Sequence, residues 1–360
     1  MIDKVIVGVS GGVDSSVAAL LLKQQGHAVE GLFMKNWDEK HADGACIWEA
    51  DVADAMQICD KLGIPLNTVD LSIDYWQKVF AEFLREYASG RTPNPDILCN
   101  QEVKFKAFLD HALQLGADRI ATGHYARIKP GDHRYELLKG QDANKDQSYF
   151  LCRLNQRQLG LSQFPIGHLQ KPEVRKLAAQ AGLITHDKKD STGICFVGER
   201  PFRDFLSRYI PVKNGSIRTL AGQIVGEHLG IQFYTLGQRG GLGIGGVKGA
   251  RDEPWYVIGK EVVSNTLVVG QGHNHPLLFS RELTAANLHW VSGDPPVPPY
   301  PCRAKTRYRQ LDQACVIESL HGDQARVRFQ HSQRAVTPGQ YIVFYQGEVC
   351  LGGGVIDSSL

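Results

Sequence analysis

The sequence contains no long hydrophobic run. Of its 360 residues 42% are hydrophobic and 22% are charged, and no stretch approaches the ~20 consecutive apolar residues of a membrane-spanning helix. The first residues lead directly into a strand-like segment, without the charged and apolar regions of a secretory leader. We therefore expect a soluble, cytoplasmic protein, and the length allows two or three domains.

The cysteines lack the spacing of a metal site. No two of the eight form a Cys-x-x-Cys pair; they stand at positions 46, 59, 99, 152, 195, 302, 315 and 350. This argues against tetrahedral zinc sites and cysteine-rich iron–sulfur clusters. Stable disulfides are not expected in the cytoplasm, so most of these thiols are expected to be small buried hydrophobic groups.

The net charge of +2 conceals an asymmetry. Residues 1–100 contain 8 basic and 15 acidic side chains, so the remaining chain carries the positive excess. Such a division is typical of a protein whose later segments bind a polyanion, although solvated surface charge explains it equally well.

The most informative segment is Ser10-Gly11-Gly12-Val13-Asp14-Ser15. It follows the apolar strand-like run Val5–Val9 and precedes a helix-like run that begins near Ser16. A strand, a glycine-rich turn and a helix direct free backbone N–H groups at an anion, and the serine hydroxyls add donors. Asp14 fits a divalent cation placed between its carboxylate and a phosphate. The segment predicts a polyphosphate site.

Two common phosphate motifs are absent from this segment. It lacks the Gly-Lys-Ser/Thr ending of a Walker A loop, and Gly8 and Ser10 do not match the dinucleotide glycine spacing. The segment resembles the PP-loop of the ATP pyrophosphatases, which split ATP into AMP and pyrophosphate and adenylate a substrate oxygen. An ordinary glycine-rich turn is the alternative.

Strand-like and helix-like segments alternate over the first ~125 residues, which predicts a parallel sheet covered on both faces. Residues 125–140 predict a β-hairpin. Beyond about residue 210 short β-like runs dominate. The expected fold is α/β: a PP-loop catalytic domain over residues 1–207, a small β-rich domain over 208–275 and a β-barrel-like domain over 276–360.

Two cysteines lie in loop-like contexts. Cys99 ends the proline-containing segment Gly90–Asn100 and is expected just before a helix that begins near Val103, where a helix N-terminus lowers a thiol pKa. Cys195 follows Lys188 and other basic residues that would support a thiolate. Each is alternatively a buried structural cysteine. Together they suggest thiol chemistry on an activated substrate.

The chain resembles the bacterial tRNA-specific 2-thiouridylase family of the PP-loop superfamily over essentially its whole length. The motifs that carry the resemblance are Ser10–Ser15, Gly90–Asn100, Ala121–Tyr125, Asn144–Tyr149, Asp190–Phe196 and Thr306–Gln310. The resemblance implies an enzyme that replaces the C2 oxygen of the wobble uridine by sulfur in the tRNAs for lysine, glutamate and glutamine.

The resemblance also implies the roles of individual residues. ATP with Mg²⁺ would bind to Gly8, Val9, Ser10, Gly11, Gly12, Val13, Asp14 and Ser15, with Met34 and Gly123 holding the adenosine. Cys195 would carry a persulfide supplied by a sulfur-relay protein fed by a cysteine desulfurase, and Cys99 would then attack Cys195. A hydrogen sulfide route in which Cys99 first frees the sulfur remains open. The catalytic set would be Cys99, Cys195 and Asp14.

The same resemblance implies the RNA contacts. Asn94, Pro95 and Asp96 would bracket a flipped-out base. Further contacts would come from His124, Lys145, Asp146, Gln147, Arg307, Tyr308 and Gln340. Lys145 and Arg307 can neutralise phosphates, and Tyr308 can stack on a base.

Two other functions are open from the sequence. Another PP-loop enzyme, such as a tRNA-lysidine synthase, would use an amine nucleophile and need neither cysteine. A non-catalytic tRNA-binding protein would use ATP as a conformational ligand only.

Overall fold

The N-terminal part of the chain is built on a five-stranded parallel sheet with strand order β3-β2-β1-β4-β7. The computed structural model describes residues 2–39, 46, 48–131, 134–189, 202–247 and 249–359. The elements of this part are β1 (Lys4–Gly8), α1 (Val13–Gln24), β2 (Ala28–Lys35), α2 (Glu49–Leu62), β3 (Leu66–Asp70), α3 (Ser72–Tyr75), π1 (Trp76–Phe80), α4 (Ala81–Ala88), α5 (Pro95–Leu98), π2 (Cys99–Ala107), α6 (Phe108–Gln114), β4 (Arg119–Ala121), α7 (Gln156–Gly160), β7 (Ser162–Gln163), α8 (Lys171–Gln180) and α9 (Phe202–Leu206).

Strand β1 is buried on both faces. Ile6 packs into a core that contains π1 and π2, whereas Val5 and Val7 pack against α1 and α2. Parallel sheets bury both faces because crossover helices cover them, which explains the continuous apolar run of β1. The prediction of a doubly covered parallel sheet is confirmed.

The helix that contains Cys99 begins earlier than predicted. Segments α5, π2 and α6 follow one another directly from Pro95 to Gln114, so the predicted start near Val103 is wrong. Asn94 is the N-cap and its side chain accepts a hydrogen bond from the Asp96 N–H at 3.2 Å. The sequence signal was present, since an Asn-Pro pair is a typical helix start.

The second unit is a four-stranded sheet with strand order β10-β11-β8-β9. Its small core is formed by Ile217, Val257, Leu267 and their neighbours. The strands are β8 (Gly215–Thr219), β9 (Ile224–His228), β10 (Trp255–Glu261) and β11 (Thr266–Gln271).

The last unit is a closed antiparallel barrel. Its strands follow the order β12-β15-β14-β13-β16-β17, and β17 pairs back with β12. Closure leaves no free sheet edge within that ring. The strands are β12 (Phe279–Trp290), β13 (Tyr300–Lys305), β14 (Gln313–His321), β15 (Gln324–Arg334), β16 (Tyr341–Gln346) and β17 (Val349–Ser359). The α/β fold with two β-rich units is confirmed.

A hairpin from the N-terminal half extends this barrel sheet. Strands β5 (Ala126–Pro130) and β6 (Tyr135–Lys139) form the predicted hairpin, and β6 pairs with β17 through Leu137 and Leu138. Membership of the C-terminal sheet was not predicted, because hairpin patterning specifies local pairing only. Across the described ranges, no helix is both long and apolar enough to cross a membrane.

Candidate active site

The turn after β1 presents a helix N-terminus without a side-chain cap. Gly12 is the N-cap of α1 and has no side chain, so the N-cap residue supplies no acceptor to the N–H groups of the first turn. Gly11 has a φ of 71°, and a Cβ there would lie 2.6 Å from the Asp51 carbonyl oxygen. The hydroxyls of Ser15 and Ser16 donate to the Gly12 carbonyl. The backbone, rather than these two hydroxyls, is therefore available to an anion.

The Asp14 carboxylate is held by two neighbours. Tyr125 Oη donates to Asp14 Oδ1 at 2.8 Å, and Lys171 Nζ donates to both carboxylate oxygens at 2.8 Å. Lys171 is only 8% exposed. A lysine ammonium thus occupies the position beside Asp14 at which the sequence suggested a divalent cation. Lys171 is 157 residues from Asp14 and carries no local motif, so sequence reasoning missed it.

The predicted nucleotide residues meet at the carboxyl edge of the sheet. Gly123 follows β4, and a Cβ on it would lie 2.6 Å from the Asp14 carbonyl carbon and from Ser15 N. A Cβ on Gly8 would lie 3.7 Å from Met34 Cε and 3.3 Å from Phe108 Cζ. Both glycines therefore permit close approach between α1, β2 and the helix that contains Phe108.

Lys188, one of the basic residues expected to support a thiolate at Cys195, bonds to the turn after β1 and to α2. Its ammonium donates to the Gly11 carbonyl and to Asp51 at 3.0 Å each, and to Asp54 at 2.6 Å. Burial alone would lower the pKa of Lys188, but the hydrogen bonds to Asp54 and Asp51 raise it. The Lys188 ammonium is therefore hydrogen-bonded to the turn after β1 and paired with two carboxylates of α2. Cys195 itself lies outside the described residues.

Cys99 is fully buried, with 0% of its surface exposed. It follows α5 as the first residue of π2, in the second turn of the helix that Asn94 caps. The expectation that Cys99 lies just before a helix is wrong. The electrostatic effect of a helix N-terminus weakens beyond the first turn, so it reaches Cys99 only in weakened form. Cys99 packs among apolar residues that include Ile97, Val103 and Tyr149.

A wide π-helical segment carries Cys99. The longer hydrogen-bond step of a π-helix leaves main-chain groups without their usual partners, and such segments concentrate at functional sites. Gln158 supplies part of the compensation: its side-chain N–H donates to the Phe105 carbonyl at 2.8 Å and to the Gln101 carbonyl at 3.4 Å. Gln158 was not singled out from the sequence.

Both β-rich units hold the segment 90–93, which leads into Asn94. Thr92 N–H donates to the Pro338 carbonyl at 3.0 Å. Gln340 Nε2 donates to the carbonyls of Thr92 at 2.7 Å and Pro93 at 3.2 Å. Gln340, predicted to contact RNA, therefore bonds to the segment that precedes Asn94-Pro95-Asp96.

The middle sheet reaches the same segment through Lys260. Its ammonium donates to the Gly90 carbonyl at 2.9 Å. Burial lowers the pKa of Lys260 to about 8. Deprotonation removes the charge but keeps two N–H donors, so this contact survives in both states.

His124 lies in a closed environment. Its Nδ1 is 2.8 Å from Thr122 Oγ1, and its ring lies 5.6 Å from that of Phe105. Burial, with a smaller effect of the Lys104 charge, lowers the pKa of His124 well below its usual value. His124 is therefore neutral at physiological pH.

The two RNA-contact segments predicted from distant parts of the sequence lie side by side. Tyr308 Oη donates to the Lys145 carbonyl at 3.4 Å. Lys305 Nζ lies 3.2 Å from Asp146 Oδ2, and both side chains are buried. Lys305, which the sequence analysis missed, therefore joins the barrel to residues 145–147.

Asp146 and Gln147 direct their polar groups inward. Asp146 Oδ1 accepts from the backbone N–H groups of Gly140 and Ser148 at 3.0 and 3.1 Å. Gln147 Oε1 accepts from Tyr125 N–H at 2.9 Å. These side chains shape the surface that Lys145 and its neighbours present.

Arg307 also bonds within the protein. Its Nη2 donates to the carbonyls of Ala335 at 2.5 Å and Arg334 at 3.3 Å. Burial, and then the Arg334 charge, lower the pKa of Arg307. The neighbouring Tyr308 ring lies 4.4 Å from that of Phe150.

Family models cover the chain in three consecutive parts. The model described as "tRNA methyl transferase HUP domain" matches residues 3–199, "tRNA methyl transferase PRC-barrel domain" matches 203–271 and "Aminomethyltransferase beta-barrel domain" matches 280–356. Over 357 residues the chain is 59% identical to a protein of Pseudomonas paraeruginosa named tRNA-specific 2-thiouridylase MnmA, which covers 99% of this chain and 95% of that protein. This chain belongs to the tRNA-specific 2-thiouridylase family.

A second 2-thiouridylase MnmA, from Methylobacillus flagellatus, is 57% identical over 99% of both chains. Among solved structures, the U34-tRNA thiolase NcsA from Methanococcus maripaludis is 17% identical and covers 57% of this chain and 63% of that chain with a TM-score of 0.35. That likeness is too low to bear on function. The full-length family match connects the predicted PP-loop and the Cys99 segment to one enzyme family.

For a 2-thiouridylase, the described site supplies a helix N-terminus without a side-chain cap, a carboxylate held by two neighbours and a thiol on a π-helical segment. The helix that carries Cys99 leads through residues 115–118 into the start of β4. It therefore runs opposite to the strands, and its Cys99 end lies toward the same carboxyl edge as the PP-loop. Ligands of open α/β sheets bind at that edge.

Proposed function

We propose that this protein synthesises 2-thiouridine in tRNA at the expense of ATP. The C2 oxygen of wobble uridine 34 is adenylated with release of pyrophosphate, and sulfur then replaces that oxygen with release of AMP. The observation that carries the proposal is the shared carboxyl edge of the sheet, where the uncapped N-terminus of α1 and the Cys99 end of its helix both lie. Family membership supports the same reaction.

The nucleotide site is assigned to the turn after β1. The first-turn N–H groups of α1 bind the phosphates, and the space beside Met34 and Gly123 receives the adenosine. Asp14 is a positioning carboxylate, because Lys171 and Tyr125 already bond to its oxygens. A Mg²⁺ ion fits as part of MgATP, held by phosphate oxygens and water. It could bind Asp14 directly only in exchange for Lys171.

The sulfur chemistry is assigned to Cys99 and Cys195. An uracil carbonyl is a poor electrophile, and adenylation converts its oxygen into a leaving group that a sulfur nucleophile can displace. The terminal sulfur of a persulfide on Cys195 attacks C2 and displaces AMP. Cys99 then attacks Cys195 Sγ, so the sulfur–sulfur bond to the product breaks, 2-thiouridine leaves and a Cys99–Cys195 disulfide forms. Because Cys99 is fully buried, the residues that cover it must move when substrate binds.

The RNA surface is assigned to the segments that the fold brings together. Asn94, Pro95 and Asp96 bracket the extruded uridine, since a stacked base cannot reach the active site. Lys145, Arg307 and Tyr308 bind the surrounding RNA. Asp146, Gln147, His124 and Gln340 act by holding those residues in place, which their inward hydrogen bonds support.

The partners and the location follow the family. The substrates are the tRNAs for lysine, glutamate and glutamine, and the sulfur comes from a sulfur-relay protein or a cysteine desulfurase. The protein is cytoplasmic, where tRNA, ATP and reduced thiols are present together.

The test is mass spectrometry of nucleosides from tRNA incubated with the protein, ATP and a persulfide donor, namely a cysteine desulfurase with its substrate cysteine. Wild type is expected to produce 2-thiouridine, and Cys99→Ala is expected to produce none. Cys59→Ala is the matched control, because Cys59 is equally buried, at 1% exposure, but lies on α2. Product formation by Cys99→Ala, or none by wild type, contradicts the proposal.

Pyrophosphate release provides a second measurement on the same samples. It is expected to depend on cognate tRNA, because adenylation needs the uridine oxygen. Release without tRNA at the same rate would indicate an ATPase instead. Full turnover in a Cys99→Ser, Cys195→Ser double variant would indicate an amine-using PP-loop enzyme.

A further inference from the structure

The C-terminal barrel contains two thiols in direct contact. Cys302 on β13 lies opposite Cys315 on β14 in the antiparallel ladder. Their Sγ atoms are 3.6 Å apart. Directly opposite residues of an antiparallel pair project from the same face with Cβ atoms ~4.5–5.5 Å apart. The Cβ atoms of a disulfide are usually ~3.5–4.5 Å apart. A small approach of the two strands and a rotation of the two side chains would therefore bring the sulfurs to bonding distance.

The two thiols differ in exposure. Cys315 is 4% exposed and packs with Ile317 and Phe329 in the barrel core, whereas Cys302 is half-buried at the margin of that core. The hydrogen bond with Cys302, followed by burial, raises the pKa of the Cys315 thiol far above its usual value. Because Cys302 is the more exposed of the two, it is the thiol that a reagent from solution can reach. Reaction at Cys302 removes its thiol hydrogen bond, the largest cause that raises the pKa of Cys315, and Cys315 then lies close enough to resolve the product.

The pair lies at the base of the loop that carries Arg307 and Tyr308. Strands β13 and β14 are consecutive, and their ladder ends at the pair Ala304 and Gln313. Residues 306–312 connect the two strands, and Cys302 and Cys315 stand two residues below the last ladder pair. A covalent bond at this position would close the hairpin and restrict the loop above it.

We propose that Cys302 and Cys315 form a reversible dithiol–disulfide site, oxidised by small-molecule disulfides such as glutathione disulfide, at the base of the 306–312 loop. The Cys302 thiolate attacks one sulfur of glutathione disulfide, forms a mixed disulfide and releases one glutathione. Cys315 then attacks Cys302 Sγ and releases the second glutathione. The two protein thiols are oxidised, and one disulfide is reduced to two glutathione molecules.

Cys302 and Cys315 are not the thiols to which we assign sulfur transfer. The disulfide holds the loop in one conformation and changes the affinity of the protein for RNA without touching the adenylation chemistry. That consequence rests on the proposed function, because it needs Arg307 and Tyr308 to contact RNA. Oxidation of the pair does not depend on that function.

The thiol site is tested on the full-length native protein. The protein is equilibrated with glutathione and glutathione disulfide in varied ratio, free thiols are blocked, and the tryptic peptides are analysed without reduction. Trypsin separates the two cysteines, since Arg303 and Arg309 are cleavage sites between them. The expected result is peptide 282–303 joined to peptide 310–326, at a yield that rises with the fraction of glutathione disulfide and reverses with excess glutathione.

Two variants control the thiol measurement. Cys302→Ser removes the joined peptide, whereas Cys46→Ser, which replaces another partly exposed cysteine, retains it. Persistence of both thiols at every ratio overturns the proposal. Accumulation of glutathione on Cys302 without the joined peptide also overturns it.

The effect on the loop is measured by binding of an anticodon stem-loop RNA. The oxidised and the reduced protein samples both carry Cys99→Ser, so that oxidation at Cys99 does not contribute to the difference in Kd. Oxidation is expected to change the Kd at least threefold, and the further substitution Cys302→Ser is expected to abolish the change. An equal Kd in the oxidised and reduced states overturns the proposal that the disulfide changes RNA affinity through the 306–312 loop. Absence of RNA binding in either state contradicts the proposed function, and the joined peptide still decides the thiol site.

Discussion

At the scale of single residues, Asp14 shows how an ion pair can fix the geometry of a backbone turn. It lies in the first turn of α1, and its carboxylate accepts hydrogen bonds from Lys171 of α8 and Tyr125 after β4. The pair is partly buried, with Lys171 nearly covered and Asp14 about one-third exposed. Residues of α1, of α8 and of the segment after β4 thereby meet at one carboxylate beside the turn that we propose to bind phosphate.

Lys171→Met is expected to weaken ATP binding at least tenfold and to lower the free energy of unfolding by about 1–2 kcal/mol, since Asp14 keeps a poorly solvated charge without its partner. Isothermal titration with ATP and urea unfolding measure the two effects. Lys176→Met, at an exposed position on the same helix, is expected to change neither. Unchanged ATP affinity in Lys171→Met would contradict the positioning role.

Lys260 makes stability depend on pH in the alkaline range. Its pKa is lowered to about 8 in the folded protein but returns to ~10.4 on unfolding. Between these values the unfolded chain binds more protons, so stability rises with pH; below pH 8 both states are protonated, and the burial cost is fully present. We expect Lys260→Met to be about 2–3 kcal/mol more stable relative to wild type at pH 7 than at pH 10, measured by urea unfolding. A difference independent of pH would contradict this pKa assignment.

At the scale of elements, the contact between β4 and α1 needs a glycine. A Cβ on Gly123 would press against the backbone of Asp14 and Ser15, and backbone cannot rotate away as a side chain does. Helix α1 would have to shift by a few tenths of an ångström or more, and its first-turn N–H groups would shift with it.

Gly123→Ala is therefore expected to lower the free energy of unfolding by about 1–3 kcal/mol and to reduce ATP affinity more than tenfold. Thermal unfolding and ATP titration measure these effects. Gly240→Ala is the control, because a Cβ there meets nothing within 4 Å. If both variants bind ATP as wild type does, the tight contact is not needed for the site.

The helices and strands of the N-terminal sheet were predictable, because their apolar runs and turn residues act locally. The position of Cys99 in its helix was not predicted, although Asn94 and Pro95 mark the true helix start. Two prolines in a short segment favour a loop, whereas Pro95 occupies the first helical turn, where its missing N–H costs nothing. The π-helical geometry of Cys99–Ala107 depends on Gln158, some fifty residues away.

At the scale of the whole molecule, the segment 90–93 is a junction of all three units. Gln340 and Pro338 bind it from the barrel, and Lys260 binds it from the middle sheet. The orientation of Asn94 and of the helix behind it therefore depends on residues that follow it by more than 150 positions. No single-segment pattern could have predicted these contacts.

Gln340→Leu tests this junction. It removes the donor to the Thr92 and Pro93 carbonyls and is expected to cost about 1–2 kcal/mol of stability. RNA binding and thiolation are expected to fall, whereas ATP affinity stays at the wild-type value because the PP-loop is untouched. Parallel ATP and RNA titrations measure the difference, with Gln180→Leu at an exposed helix position as control. Equal losses of ATP and RNA affinity would contradict a role confined to this segment.

The pairing of β6 with β17 has a consequence for synthesis on the ribosome. Strand β6 ends at Lys139, but its partner Val349–Ser359 is translated more than two hundred residues later. The nascent chain must carry an unpaired strand edge while more than two hundred further residues are added, and unpaired edges invite contact with other chains. Translation must therefore pass β17 before the sheet that joins the hairpin of residues 126–139 to the barrel can close.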